Sequence, residues 1–313
     1  MGLRTALGLK AAKFRKRSPD PKFGVLSFGY ENFFAFDEKL QRDGSYDINL
    51  GDNAQSIAAR QLWRELLVDD EQIITVNRDT LSTYSGPPCL LIMNAVFFQQ
   101  SFPVPPAIHP IFVGFRADAD VISHNVAYFK RHEPIGCRDV ATTACMMSHG
   151  IDAFTSGCIT LALPPRIKEP THGRLLVVYG SEFPSSVLPH IPTSLSEHCQ
   201  IIYHRLPVAE FPVSRRTQLL AEAYERYLLD IYRETAAIVL TSLHHVAAPC
   251  MAMGIPVILC RLAKDDRFSF LEELTPVYTP DQFSSINWSP LPVDLSVVRE
   301  NIRNLIAERR RLS

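Results

Sequence analysis

Three observations in this sequence predict an α/β fold built on parallel sheets. Short apolar runs of strand length recur along the chain and alternate with stretches of helical periodicity. The same alternation begins again after a break at Pro164, Pro165 and Pro170. At 313 residues, 46% of them apolar, the chain is long enough for two domains of ordinary size with substantial cores.

In chain order, residues 1–22 read as a basic tail carrying Lys10, Lys13, Arg15, Lys16 and Arg17, without the long apolar region of a signal peptide. Ala6 stands where a myristoylation pattern has Ser or Thr. The tail is either frayed and solvated or, with Leu3, Leu7 and Phe14 on one face, a membrane-surface helix over residues 1–18. A first domain follows over residues 23–168. Its first strand is 23–28, ended by Gly29 and Tyr30, and an aromatic loop with Phe33, Phe34 and Phe36 covers a core edge. Asp52 or Asn53 is expected to cap a helix running to about Leu67, with Ile57, Ala58, Leu62 and Leu66 on its apolar face. Gly51 permits a sharp turn or close approach to a ligand. Capping explains Asp52 but not the crowding of Asn49, Asp52, Asn53 and Gln55. Strands follow at 73–76, 90–93 and 110–115, with Asn94 as a ligand-facing amide at the end of the second. Residues 102–106 form a proline-rich extended loop and 121–131 a helix. Residues 134–139 are a short strand and turn, and Asp139 caps a helix to His149. Residues 151–163 are loop and strand, with Ser156, Gly157 and Cys158 in a turn.

The second domain, residues 169–292, has strands at 174–179 and 200–203 and a long amphipathic helix over 214–234. Its key unit is strand–helix–strand. The apolar run 236–240 leads to Thr241 and Ser242, which can accept from the first N–H groups of a helix ending near Met253. Gly254 stops that helix, Pro256 blocks its continuation, and 256–260 is the next strand. His244 and His245 thus fall at a strand's carboxyl end, where open α/β sheets bind ligands and a helix N-terminus favours anions. Residues 293–313 close the chain as an amphipathic helix, basic at its end. The two halves share one architecture, two Rossmann-like domains with parallel sheets and a cleft between them.

Composition excludes several classes. A net charge of −1 gives no overall field to recruit nucleic acid. Seven scattered cysteines without a Cys-x-x-Cys pair fit free thiols in a reducing, cytoplasmic compartment. No apolar run is long enough to span a bilayer. No His/Cys/Asp cluster has metal-ligand spacing, so no metal is expected, and no glycine-rich nucleotide or dinucleotide pattern appears.

Four stretches, in this order, resemble one family, the polysaccharide pyruvyl transferases. They are Asn49-Leu-Gly-Asp-Asn-Ala-Gln55, the Ile111-Phe-Val-Gly-Phe115 strand, Ile135-Gly-Cys-Arg-Asp139 with Ser156-Gly-Cys-Ile-Thr-Leu161, and residues 241–258. The resemblance covers roughly residues 23 to 290. It implies two facing Rossmann-like domains, as in GT-B glycosyltransferases. It also implies transfer of a pyruvyl group from phosphoenolpyruvate to a sugar, as a cyclic ketal on two hydroxyls. Members carry Arg-Leu-His before the motif helix, with the Arg and His implicated in holding phosphoenolpyruvate. Aligned on Gly254-Ile-Pro256, His245 matches the family's His and Leu243 stands where the Arg would be. Leucine cannot pair with a carboxylate or phosphate. The charge must therefore come from Arg138, Arg205 or Arg261, or the donor differs.

On this reading His245 is the general acid, because imidazole titrates near working pH. Asp52 is the base, held ionised by its helix N-terminus. Arg138 is the anion clamp. Asn53, Gln55, Asn94, Ser156, Thr241, Ser242, His244, Arg205 and Arg261 are the donor- or substrate-binding candidates. The plain alternatives are a helix cap for Asp52, a core imidazole for His245 and a helix-start ion pair for Arg138. Cys137 and Cys158 are read as buried structural thiols. The expected partners are phosphoenolpyruvate and a sugar or lipid-linked glycan. No other cofactor and no nucleic acid are expected, and the enzyme would be cytoplasmic, with peripheral contact at the inner membrane face through residues 1–18. Two further hypotheses are a GT-B glycosyltransferase using a nucleotide sugar, and a catalytically silent glycan-binding member.

Overall fold

The computed structural model describes residues 22–312. The expected basic tail and its membrane-surface helix therefore lie, Lys22 apart, outside the described residues. The first half runs β1 (Lys22–Ser27), α1 (Phe34–Asp43), β2 (Tyr46–Asn49), α2 (Leu50–Glu65), β3 (Ile73–Asn77), β4 (Cys89–Met93), β5 (Val96–Phe97), β6 (Ile108–Phe112) and β7 (Arg116–Ala117). It continues with α3 (Ala119–His124), α4 (Val126–Lys130), β8 (Ile135–Cys137), α5 (Val140–Ser148) and β9 (Ala153–Thr155). The second half runs β10 (Arg174–Tyr179), α6 (Thr193–Ser196), β11 (Gln200–Tyr203), β12 (Arg205–Val208), α7 (Arg215–Thr235), β13 (Ala236–Thr241), α8 (His244–Ala252), β14 (Val257–Cys260), α9 (Ser269–Glu272), β15 (Val277–Tyr278) and α10 (Ser296–Leu312).

The fold class is α/β with parallel sheets. One sheet has strand order β3-β1-β4-β6 and the other β11-β10-β13-β14-β15, and every pairing in both is parallel. A bridge from Phe115 to Cys137 carries the first sheet toward the parallel pair β8–β9. Strands β10, β13 and β14 of the second sheet are covered on both faces, which is why they read as continuous apolar runs. Leu176, Val178, Val239 and Leu259 enter the main core, while Leu175, Val177, Leu240 and Ile258 enter a smaller cluster with Phe283. The main core takes residues from both halves. An antiparallel ribbon, β2 with β12, also joins the halves, as does the packing of α2 on α7 and α8. Helix α10 returns to the first half, where Arg299 donates to Leu163 O and Arg310 to Leu66 O.

Several local expectations need correction. The aromatic loop contains α1, which buries none of its side chains; Phe33 and Phe36 do stack over the core edge beside Tyr30 and Tyr46. Short β2 went unread because its apolar signal is two residues, and its register is set by β12 far along the chain. The expected 121–131 helix is two helices interrupted at Asn125, whose Nδ2 donates to Val121 O. The cap of α2 is Asn49, one turn earlier than expected, its Oδ1 accepting from Gly51 N at 3.2 Å. Asp139 does cap α5, accepting from Thr142 N at 2.9 Å. No helix among the described residues is long and apolar enough to cross a membrane.

Candidate functional site

The start of α2, the residues following β7 and β8, and the carboxyl ends of β10, β11, β13 and β14 converge on one cavity of about 490 Å³. Parallel strands aim their carboxyl ends, and the helix N-termini after them, at the same space. Asp52, Arg138, Arg205, Arg261, Ser242, His244 and His245 all line it.

Helix α8 presents a bare N-terminus. Its N-cap is Leu243, which has no side chain to cap with, so the expected capping by Thr241 and Ser242 does not occur. Thr241 is the last residue of β13, and its Oγ1 accepts from Leu243 N at 3.1 Å, inside the turn. The Ser242 hydroxyl is buried and has no partner. Free N–H groups, a free hydroxyl and two imidazoles are therefore offered together, the pattern of an anion site. His244 Nδ1 and His245 Nε2 are shielded from solvent and unpartnered. The His244 ring meets those of His245 and Phe268 edge-on, at 5.1 and 5.4 Å. Burial holds both imidazoles well below their ordinary pKa; the neighbouring His245 adds to this for His244, and Arg138 for His245. Both are thus neutral near pH 7. His245 also packs directly on α2, since a Cβ on Gly51 would fall 2.3 Å from His245 Cβ. What Gly51 admits so closely is this histidine.

Arginines surround that terminus. Arg138 is 4% exposed, its Nε has no hydrogen bond, and its nearest carboxylate, Asp139, is 3.8 Å away. Burial pulls its pKa below the ordinary guanidinium value. Arg261 donates to Ser242 O at 3.1 Å, to Glu182 at 3.3 Å and to Asp265 at 3.4 Å, and stacks on Phe268 at 4.5 Å, leaving Nε unpaired. Arg205 donates to Ser181 Oγ at 3.3 Å, and its Nε is also shielded and unpaired. A Cβ on Gly180 would lie 3.2 Å from that Nε and 3.1 Å from Leu243 Cδ2, so the Arg205 guanidinium sits beside Leu243. Arg116 and Arg267 complete the lining. Sequence reading passed over these two, although each follows a strand's carboxyl end by a few residues and a basic residue there is a usable signal.

The lining also holds the acids Asp52, Asp118 and Glu182. With Asn49 as the cap, Asp52 lies inside the first turn of α2 and lines the cavity. Oδ2 accepts from Tyr30 OH at 2.8 Å and Oδ1 from Asn49 Nδ2 at 3.2 Å. The helix N-terminus is expected to favour the ionised carboxylate, and burial opposes it. Burial raises the Asp52 pKa, against the lowering effects of Arg78 and the Tyr30 bond. A raised value brings a carboxylate base nearer to working pH. His204, another lining residue, has Nδ1 within bonding distance of Tyr232 OH at 2.7 Å and Nε2 3.0 Å from the Glu225 carboxylate.

The remaining candidates lie outside the lining. Asn53 and Gln55 are turned by the helical period into the interior of α2's packing. Asn94 is wholly buried beneath the strand end, with both amide atoms unpartnered. Ser156 Oγ is engaged in holding the loop, accepting from Gly114 N and lying within bonding distance of the Cys137 and Gly157 carbonyls. Thr241 is engaged in its turn.

The fold also assembles a donor set that sequence spacing concealed. Cys158 Sγ and one nitrogen each of His244 and His245 lie within 4.8 Å of one another. An N/S set of this kind suits zinc. The surroundings oppose a dication, because Arg138 and Arg267 bear on both imidazoles, Arg116 on His244 and Arg205 on His245. Burial keeps the Cys158 thiol protonated, and the same positive field favours an anion.

No protein-family model matches the chain, and no curated protein matches it. Among solved structures it is similar to a functionally uncharacterized protein from Klebsiella pneumoniae, with a TM-score of 0.43 and 13% identity over 80% of this chain and 88% of that one.

Proposed function

We propose that this protein is a transferase of the polysaccharide pyruvyl transferase family, moving a pyruvyl group from phosphoenolpyruvate onto a sugar of a surface or extracellular polysaccharide as a cyclic ketal. The observation that carries this reading is a set of three guanidiniums, Arg138, Arg205 and Arg261, each with a shielded and unpaired Nε, around the uncapped start of α8. Phosphoenolpyruvate brings a phosphate and a carboxylate, and such groups are bound by guanidinium forks and free helix N–H groups. Arg205, beside Leu243, supplies the charge that the family carries at that turn. In this reading the two sheets belong to Rossmann-like domains facing each other across the cavity in the GT-B manner. The acceptor is a sugar or lipid-linked glycan, met in the cytoplasm at the inner membrane face.

The chemistry balances on the residues present. Asp52 accepts the proton of the first sugar hydroxyl as its oxygen attacks C2 of the donor. His245 is charged once the anionic donor offsets the arginine field, and it gives its proton to the methylene carbon, which becomes methyl. Phosphate leaves with its charge held by Arg138 and the α8 terminus. The second hydroxyl then adds to C2. Of the two hydroxyl protons, one is matched by the new methyl C–H and the other departs on phosphate.

A second reading, a GT-B glycosyltransferase using a nucleotide sugar, is favoured by one observation. An apolar pocket of about 290 Å³, lined by Tyr179, Phe183, Leu188 and Ile201, adjoins the cavity at Ser181 and offers a slot for a base. Thermal unfolding separates the two. Ligand at 100 times its dissociation constant adds about 2.7 kcal/mol, a shift of several degrees. Phosphoenolpyruvate is expected to give that shift, with Arg138→Ala or His245→Ala abolishing it. A shift with a nucleotide sugar and none with phosphoenolpyruvate would refute pyruvyl transfer.

A further inference from the structure

Tyr30 lies outside the cavity, yet its surroundings are built to hold it. It is 3% exposed and adopts φ 59°, the left-handed region that bulky residues avoid. Its backbone N–H donates to Asp79 Oδ2 at 2.9 Å. Asp79 Oδ1 is held by Arg78 at 2.8 and 3.0 Å, and the Asp79 N–H by Asn77 Oδ1 at 3.1 Å. The Arg78 guanidinium is enclosed by the rings of Phe28, Phe33, Phe98 and Tyr30 itself, with centroids 4.8 to 5.8 Å away. This buried arrangement fixes the backbone of Tyr30 in an unfavourable conformation, and the phenol then reaches Asp52 Oδ2 at 2.8 Å.

From this geometry we infer that Tyr30 is a positioning residue for Asp52. With the Asn49 amide on Oδ1, its hydroxyl on Oδ2 fixes the rotamer of the carboxylate and stabilises its ionised form. The inference rests on the reading of Asp52 as the base and adds the group that sets its protonation. A hydrogen bond donated to the charged form favours that form. Its removal therefore lets burial raise Asp52 further. For a charge-assisted bond the rise is about one to two pKa units.

The test is the 13Cγ titration of Asp52, followed by NMR in the ligand-free protein and in Tyr30→Phe, which keeps the ring over Arg78. An upward shift of that size in Tyr30→Phe supports the assignment. Site-specific 3,5-difluorotyrosine at position 30 is a second, nearly isosteric variant for use if Tyr30→Phe fails to fold. Its more acidic phenol donates more strongly, and Asp52 should shift downward. An Asp52 titration unmoved in either folded variant would overturn the inference. Because no donor is present, failure of phosphoenolpyruvate to bind would remove pyruvyl transfer separately and leave the Tyr30–Asp52 coupling to be judged by its own shift.

Discussion

Gly51→Ala is the most direct test of how the two helix starts are joined. A Cβ at Gly51 would lie 2.3 Å from His245 Cβ, 2.8 Å from Nδ1 and 2.9 Å from Cγ. Carbon atoms in good contact stay about 3.5 Å apart or more. The first turns of α2 and α8 must therefore separate, or His245 must swing away, by roughly 1 Å. Overpacking of this kind costs about 1–3 kcal/mol. A displacement of about 1 Å in a reacting group costs on the order of 100-fold in rate. The expected result is a melting temperature several degrees lower and loss of the phosphoenolpyruvate-dependent shift. A double-mutant cycle isolates the contact. In a His245→Gly background the obstructing Cβ is gone, and Ala in place of Gly within a helix is then favourable by about 0.5–1 kcal/mol. The sign of the Gly51→Ala effect should reverse. The reasoning fails if Gly51→Ala destabilises both backgrounds equally, or if it leaves stability and ligand response unchanged in the native one.

Two further outcomes are expected. His244 and His245 are held neutral in the folded protein, whereas in the unfolded chain they take up protons near pH 6.5. Their contribution to stability is therefore complete above about pH 6.5 and is lost as pH falls below it. Binding of an anionic donor restores their basicity, so phosphoenolpyruvate affinity should weaken as pH rises. Calorimetry in buffers of different ionisation enthalpy should show proton uptake at pH 7.5, and its absence would count against His245 as the acid. Arg138→Met removes a buried cation whose nearest carboxylate is 3.8 Å away. The substitution leaves the buried Asp139 carboxylate with only Arg116, at 3.6 Å, and removing one partner of a buried pair costs about 3–5 kcal/mol. The ligand-free melting temperature should fall while the phosphoenolpyruvate shift disappears; a folded variant that still responds to phosphoenolpyruvate would exclude Arg138 as the clamp.

How much of this was legible in the sequence depends on the range of the interaction concerned. Strands β10 and β11 were expected at their observed limits because both are apolar runs of strand length, β10 being covered on both faces and β11 lying at the sheet edge. The helix over 214–234 was expected within a residue, because Ser214 caps it and its apolar stripe keeps the helical period. Caps were harder to read. Asn49, Asp52 and Asn53 all carry capping side chains within five positions, and the choice among them falls where β2 ends. Since β2 is held by β12, that choice is tertiary. The same holds at α8, where β13 extends through Thr241 and so removes the expected cap.

By itself the sequence determined the α/β class, most of its strands and long helices, and the placing of two histidines and an acid at helix starts. These depend on periodicity, capping side chains and the intrinsic properties of residue types, all local in the chain. Only the tertiary structure decided that Arg116, Arg138, Arg205, Arg261 and Arg267 share one cavity with His245, that Ser156 and Thr241 do not, and that Tyr30 reaches Asp52. It also decided the protonation of the site, raising Asp52 and lowering both histidines. The physical reason is that burial and through-space charge depend on which groups the fold brings together, and residues as distant in sequence as Gly51 and His245 meet only once both helix starts are in place.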